Sequence, residues 1–338
     1  MKMIQHPIYK IARVQLRREL ELHRSGHMVF IIGPSGVGKT TIRRSTLREM
    51  FGNPHYWGRG RTPLVEVFAT MPSRAYFSSR DLANNLVDEL NAPSMEWLLD
   101  SGSFAAKECS VLRSELAECK AIWHAVPRKR VTEAETWQAF RAGSGARGCR
   151  YVSIDQVTAL LVNHRDTSPA DHTLHLMSLG ESTGLMFIMT GVYQAARLWD
   201  IHSELRRRVS VIWVPPYSDK RAEDRVSFSR FLKTVGARSP LICDAILINM
   251  APEILAATAG VVGEVLQLVD RATKRAIDEG APKLLRRHLS LSYYNDSDLS
   301  SLWRDVNEFE RVMKAGSVKE RSSLVRARWK IAQETVDP

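Results

Sequence analysis

The sequence predicts an α/β protein: a parallel sheet flanked by helices, with a helical region beyond it. Three observations lead there. Strand-sized apolar runs alternate with helix-periodic segments through the first two thirds of the chain, a glycine-rich turn joins the first such run to a helix, and strand signals fade after residue 217. Alternation of this kind requires helical crossovers between parallel strands. The 338 residues suffice for one large or two modest domains with an ample core.

Between Tyr9 and Arg24, apolar Ile11, Val14, Leu16, Leu20 and Leu22 recur among Arg13, Arg17, Arg18 and Glu19 at roughly helical spacing, and Ser25-Gly26 ends the helix. MVFII (28–32) is a short apolar strand, followed by a Gly-rich turn and the helical TTIRRSTLREMF. PLVEVFAT (63–70) is a second strand, and SRDLANNLVDELN a helix. Residues 94–131 have Trp97, Leu98, Leu112, Leu116, Ile122 and Trp123 at helical spacing without a strand signal, which predicts a helical insertion. Thr132 to Glu135 has the T-x-x-E form of a capping box and opens a helix to about Arg141, after which AGSGARG reads as a flexible turn. RYVSID (150–155) is the third strand, GLMFIMTG (184–191) the fourth and RVSVIWVPPY the fifth. The expected organisation is an N-terminal helix (1–25), an α/β domain (26–217), a helical lid (218–280) and a basic helical tail (281–338), with no internal repeat.

Lys and Arg number 48 against 37 Asp and Glu, a net charge of +11, and 44% of residues are hydrophobic. This excludes a disordered acidic tail, a collagenous repeat and a disulfide miniprotein, and it favours a folded protein that meets a polyanion. Cys109, Cys119, Cys149 and Cys243 are far apart with no ligand spacing, so reduced thiols of a cytoplasmic protein are expected and a structural zinc is not. MKMIQHPIYK has no apolar h-region and no apolar run is of membrane length, so neither secretion nor a membrane partner is expected.

The strongest chemical signal is GPSGVGKT, comprising Gly33, Pro34, Ser35, Gly36, Val37, Gly38, Lys39 and Thr40, with Thr41 next. It fits G-x-x-x-x-G-K-[ST] between a strand and a helix. Glycines let the backbone wrap phosphates with its N–H groups, the helix N-terminus adds a favourable dipole, Lys39 supplies a mobile charge, and Thr40 can ligate Mg²⁺. ATP with Mg²⁺ is therefore the expected cofactor. Asp155 closes the third strand, where a carboxylate beside the phosphate loop holds Mg²⁺. Where hydrolytic NTPases with such a loop normally carry Glu next, this chain has Gln156, which can hold a water but cannot accept its proton. Two readings follow: slow hydrolysis, or a Gln substituted to trap the bound state. Thr190 ends the fourth strand beside Asp155 and reads either as a sensor of the γ-phosphate or as a turn residue before Gly191. Arg206-Arg207-Arg208 is a solvated basic face or the source of a finger that reaches a neighbour's phosphate.

Weaker clusters are Asp171, His172 and His175, read as helix surface rather than metal site, and Trp97, Trp123 and Trp137, read as packing. Arg128, Lys129, Arg130, Arg141, Arg147 and Arg150 outweigh Glu133 and Glu135 and form a candidate contact to a phosphate backbone.

Phosphate loop, Asp-ended strand, sensor-like Thr, Arg-rich segment and helical region, in this order, resemble a AAA+ P-loop ATPase. Within that class the chain is similar, from about Ile4 to Ala276, to the TnsC/TniB family, the ATP-dependent regulators of transposons, including CRISPR-associated ones. The resemblance implies that Arg208 is the finger, that His6, Pro7 and Ile8 border the adenine pocket, and that Arg80 and Thr132 face DNA. It also implies rings or a helical filament of the hexamer or heptamer class around duplex DNA, with a TnsA/TnsB-like transposase and a TniQ-like target selector as partners. Two departures, Gln156 and Glu264 in TAGVVGEV where a sensor Arg is common, bear on hydrolysis more than on assembly. The basic stretch from Lys314 to Lys330 is a candidate dock for partners or DNA. The expected function is thus ATP-dependent, DNA-binding regulation of transposition; the alternatives are a AAA+ helicase-loader type protein and a signalling NTPase switch that never touches DNA.

Overall fold

The computed structural model describes residues 7–52, 57–70, 77–95, 97, 106–125, 131–162, 168–200, 202–243, 245–314 and 325. His6, Lys129, Arg130 and almost all of the stretch beyond Lys314 lie outside the described residues. Five strands, β1 (Met28–Ile32), β2 (Leu64–Phe68), β3 (Tyr151–Asp155), β4 (Met186–Gly191) and β5 (Val209–Trp213), form one parallel sheet in the order β2-β3-β4-β1-β5. The chain leaves β1 for the far edge, returns through β3 and β4 to lie beside β1 again, and crosses to the other edge with β5. Every residue of β1, β3 and β4 is buried. Burial on both faces is why these runs read as continuously apolar rather than alternating.

Alternate residues feed two cores, because successive strand side chains point to opposite faces. On one face Phe30, Val67, Ile154 and Phe187 pack with the helices Ser79–Asn91, Glu133–Ala146 and Pro169–Thr183. On the other, Val29, Ile31, Ile188 and Ile212 pack with Leu16 and Leu20 of the N-terminal helix (Pro7–Leu22) and with Ile42 and Leu47 of the phosphate-loop helix (Lys39–Phe51).

Two local expectations change. The helix that starts at the Thr132 capping box runs to Ala146, not Arg141, so Gly143 and Gly145 are helical. Packing overrides a cost of about 1 kcal/mol per helical glycine: Ser144 is buried, and a Cβ on Gly143 would stand 2.9 Å from Leu90 of the neighbouring helix. In the region expected as a basic tail, residues 281–314 are docked. The helix Asp296–Met313 buries Phe309 in the sheet's core against Trp213, and Trp303 Nε1 donates to the Ala256 carbonyl of the lid at 2.9 Å. It straps the lid to the sheet.

The lid has its own core of Phe228, Phe231, Leu232, Ile254 and Leu268, which Tyr217 enters. There the Tyr217 N–H donates to the Gly260 carbonyl at 3.0 Å, and the position requires glycine twice over: its φ is +68°, and a Cβ would meet the Tyr217 carbonyl oxygen at 2.0 Å. No single helix among the described residues is long and apolar enough to cross a membrane. Ala251–Thr258 and Val262–Asp278 approach that length only as a pair bent by 113°. Cys149 and Cys243 are free and buried.

Candidate nucleotide-binding site

The phosphate loop leaves the buried end of β1 and turns into a helix at Lys39. Gly36 and Gly38 have φ of +77° and +93°, conformations that a side chain would strain. Gly38 is required for a second reason: the Tyr9 hydroxyl lies where its Cβ would be and donates to the Gly38 carbonyl at 3.1 Å. The N-terminal helix is thereby fixed on the loop, and Pro7 and Ile8, which open that helix, are brought to the same end of the sheet. Tyr9 is a site residue that sequence reasoning missed. Burial raises its hydroxyl pKa, with a hydrogen bond to Thr41 opposing.

The Lys39 ammonium donates to the carbonyls of Gly33 at 2.9 Å and Pro34 at 2.7 Å. Burial pulls its pKa down to about 8, against the pull of Asp155. A phosphate would restore the charged form, so the side chain is poised to gain by meeting an anion. The Thr40 hydroxyl donates to Asp155 Oδ2 at 3.1 Å, across a separation of 115 residues. Two hard oxygen donors side by side, one at a helix start and one at a strand end, fit Mg²⁺, which prefers one or two protein ligands plus substrate phosphates. Among the described residues no group of three His, Cys, Asp or Glu gathers to hold a metal. His172 and His175 each pack edge-on against an aromatic ring, Phe77 and Trp137.

Asp155 and Thr190 end neighbouring strands, since Ile154 is in register with Met189. Both are buried. Between them stands Arg43, which the sequence did not single out. Its Nη1 donates to Thr190 Oγ1 at 3.3 Å, and its Nη2 lies 2.6 Å from Glu66 Oε1 and 3.0 Å from Asp155 Oδ2. Arg44 adds a contact to Glu66 Oε2 at 3.3 Å. Gln156 has left-handed backbone, φ +56°, with its N–H donating to Asp155 Oδ1 at 2.8 Å and its side chain exposed.

The lid closes the loop from the other side. The Gly263 N–H donates to the Gly36 carbonyl at 2.9 Å, and Glu264 would touch a Cβ on Gly36 at 3.9 Å. Glu264 is held by the Tyr294 hydroxyl at 2.6 Å, and the Arg271 guanidinium stacks 4.6 Å from the Tyr294 ring centre. The nearest arginine of this lid helix thus stands behind the acid rather than at the loop.

Arg208 is elsewhere. Met28 is in register with Val209, so Arg208 lies at the start of the sheet's strands, five residues and roughly 16 Å from the loop after Ile32. Its side chain is 44% exposed, pairs with Glu181 and donates to the Ser25 carbonyl at 3.5 Å. Arg80 and Thr132 are brought together at the starts of two packed helices. Arg80 Nη2 donates to the Val131 carbonyl at 2.6 Å, and Trp137 Nε1 joins the helices through Ser79 at 3.1 Å. The Thr132 hydroxyl is spent on its own cap: it donates to Glu135 Oε2 at 2.8 Å and accepts from the Glu135 N–H at 3.3 Å.

No protein-family model matches this chain, and no curated protein matches it. Solved structures do match. Cdc6p from Pyrobaculum aerophilum is 14% identical over 89% of this chain and 71% of its own, with a TM-score of 0.51. The ORC2 protein of Aeropyrum pernix, in ADPNP–ADP complexes, is 13% identical over 89% and 73%, at 0.48. The Walker-type ATPase of Pyrococcus abyssi is 15% identical over 88% and 89%, at 0.46. At such identities the likeness is one of fold. With the sheet order and the phosphate loop, the Cdc6p match gives the α/β P-loop NTPase fold.

Proposed function

We propose that this chain binds ATP with Mg²⁺, assembles through the bound nucleotide into rings or a helical filament on duplex DNA, and regulates transposition as TnsC/TniB proteins do. One observation supports the reading above others. Lys39, Thr40, Asp155 and Thr190 converge at one end of the sheet while Arg208 stands exposed at the other. A guanidinium too far from its own chain's loop, yet on the surface, suits a neighbour's γ-phosphate, because planar forks match phosphate oxygens. In this reading Lys39 and the loop N–H groups bind phosphates, and Thr40 and Asp155 hold Mg²⁺, which supplies charge neutralisation at the phosphates. Pro7 and Ile8, with His6, border the adenine, and Arg208 completes the site in trans. Oligomerisation is thereby tied to ATP.

Gln156 limits hydrolysis: its amide orients water without taking a proton. Arg80, with Lys129 and Arg130, engages the DNA backbone with little sequence preference, so affinity falls steeply with salt. A TnsA/TnsB-like transposase and a TniQ-like selector are the expected partners. The test is electrophoretic shift of random duplex DNA. A shift that requires ATP and is abolished by Lys39→Ala supports the reading; no shift at low salt sinks it and favours a signalling switch. Recovery of a helicase instead of a transposase from the protein's native host would reassign it as a loader.

A further inference from the structure

Among the described residues, Arg43 is the largest side chain wholly removed from solvent, at 0% exposure. It lies one helical turn after Lys39, so both project from the same face of the phosphate-loop helix towards the strand ends. Its Nη2 touches the very oxygen of Asp155, Oδ2, that receives the Thr40 hydroxyl. The other oxygen, Oδ1, is occupied by the Gln156 N–H. A divalent ion that approaches Asp155 therefore meets a carboxylate whose oxygens both have donors, one of them a full positive charge at 3.0 Å. An exposed arginine would swing out into water as the metal arrived. Arg43 has no such route: it is enclosed, and the same nitrogen is pinned by Glu66 at 2.6 Å from the adjacent strand. The carboxylate of Glu66 interrupts an otherwise apolar strand and is itself buried, so it exists in this position only because a cation faces it. Nη1 extends the contact to Thr190. The Nε of Arg43 has no hydrogen-bond partner, which indicates that the guanidinium is oriented by its two carboxylates rather than by its own best solvation.

We propose that Arg43 is a built-in counter-ion of Asp155 that takes over part of the neutralising work of Mg²⁺, so that nucleotide binding by this chain depends only weakly on divalent cation. Arg43 is a positioning residue; it acts through Asp155 and Thr190 and not on the phosphates. The inference rests on the proposed ATP reading, and the experiment separates the two. The affinity of the full chain for a fluorescent ATP analogue is measured by anisotropy in excess Mg²⁺ and in EDTA. Wild type is expected to bind in both, with affinities within about threefold of one another. In Arg43→Gln/Glu66→Gln, a neutral pair that can still hydrogen-bond, Asp155 is released to the metal, and the Mg²⁺/EDTA ratio should rise at least about tenfold. Glu66→Gln alone leaves Arg43 facing Asp155 and should keep the wild-type ratio. A merely structural Arg43–Glu66 pair would alter melting temperature in these variants without moving the ratio. An unchanged ratio in the double variant overturns the proposal, and so does a wild-type ratio of about tenfold or more, which can be read even if the double variant fails to fold. Absence of binding by wild type in both conditions overturns the ATP reading itself, and this inference with it.

Discussion

The two ends of the sheet treat arginine in opposite ways. Where the strands finish, Arg43 is sealed between Asp155, Glu66 and Thr190. Where they begin, Arg208 is exposed and held by one surface carboxylate, Glu181. A buried guanidinium with two carboxylates is a fixed part of the site, because removing either partner strands a charge in the interior. A surface pair is worth little and breaks readily, so Arg208 is free to exchange Glu181 for a stronger anion. The contrast teaches that the end bearing the phosphate loop carries its charge pairs locked inside one chain, while the arginine at the opposite end is left able to take a new anion.

That difference is broken most directly at Arg208. Arg208→Ala should leave nucleotide affinity near wild type, since the side chain lies on the far end of the sheet, while ATP-dependent assembly is lost and turnover drops on the order of a thousandfold. Mass photometry with ATP and a phosphate-release assay check both. Normal assembly and turnover would make Arg208 a plain surface residue.

The next largest effect concerns Gln156, which belongs to the loop-bearing end yet faces outward. Gln156→Glu supplies a carboxylate that can take a proton from water and should raise turnover by about a hundredfold in the assembled protein. No gain would mean that some other group limits hydrolysis, with Glu264, which stands beside Gly36, the first to examine.

Lys39 gives a prediction about pH. Its folded-state pKa, about 8, is below the ordinary lysine value because burial disfavours the ammonium. The unfolded chain therefore binds more protons than the folded one between about pH 8 and 10.5, so this residue's contribution makes the ligand-free protein more stable as pH rises through that window. ATP needs the charged form, so binding takes up a proton above the folded pKa. Affinity should be flat below pH 7 and fall by about tenfold at pH 9, while Lys39→Arg removes the fall. Isothermal titration in buffers of different ionisation enthalpy would show the proton uptake; none at pH 9 would contradict the mechanism.

The loop-bearing end was also the legible end. Strands buried on both faces read as apolar runs, and the loop chemistry is local, so Gly33 to Thr40, Asp155 and Thr190 could be read from neighbouring residues. What was illegible depends on distant pairing. Arg43 and Glu66 are 23 residues apart, and only the fold brings them together; the one available signal was a Glu in the middle of an apolar strand. Tyr9 on Gly38 gave no signal of its own. The docked helix carries a legible signal beneath a surface rich in charge: Leu299, Leu302, Val306 and Phe309 recur at helical spacing within Asp296–Met313. Gly143 misled in the other direction, because packing against Leu90 makes a helix out of a turn-like sequence.

The smallest expected effects separate Arg80 from Thr132, which the fold places side by side. Arg80 spends one nitrogen on the Val131 carbonyl and keeps its charge exposed, so Arg80→Ala should weaken DNA binding and reduce the slope of log affinity against log salt by about one. Thr132 has no hydroxyl proton left for a phosphate, since its O–H already donates to Glu135. Thr132→Ala should cost about 1 kcal/mol of stability through loss of the cap, leave the salt slope unchanged, and be rescued by Thr132→Ser. Thermal melts and DNA titrations at three salt concentrations make the distinction. A changed slope in Thr132→Ala with an unchanged melting temperature would reverse the assignment, placing the DNA contact on the threonine and the structural role on the arginine.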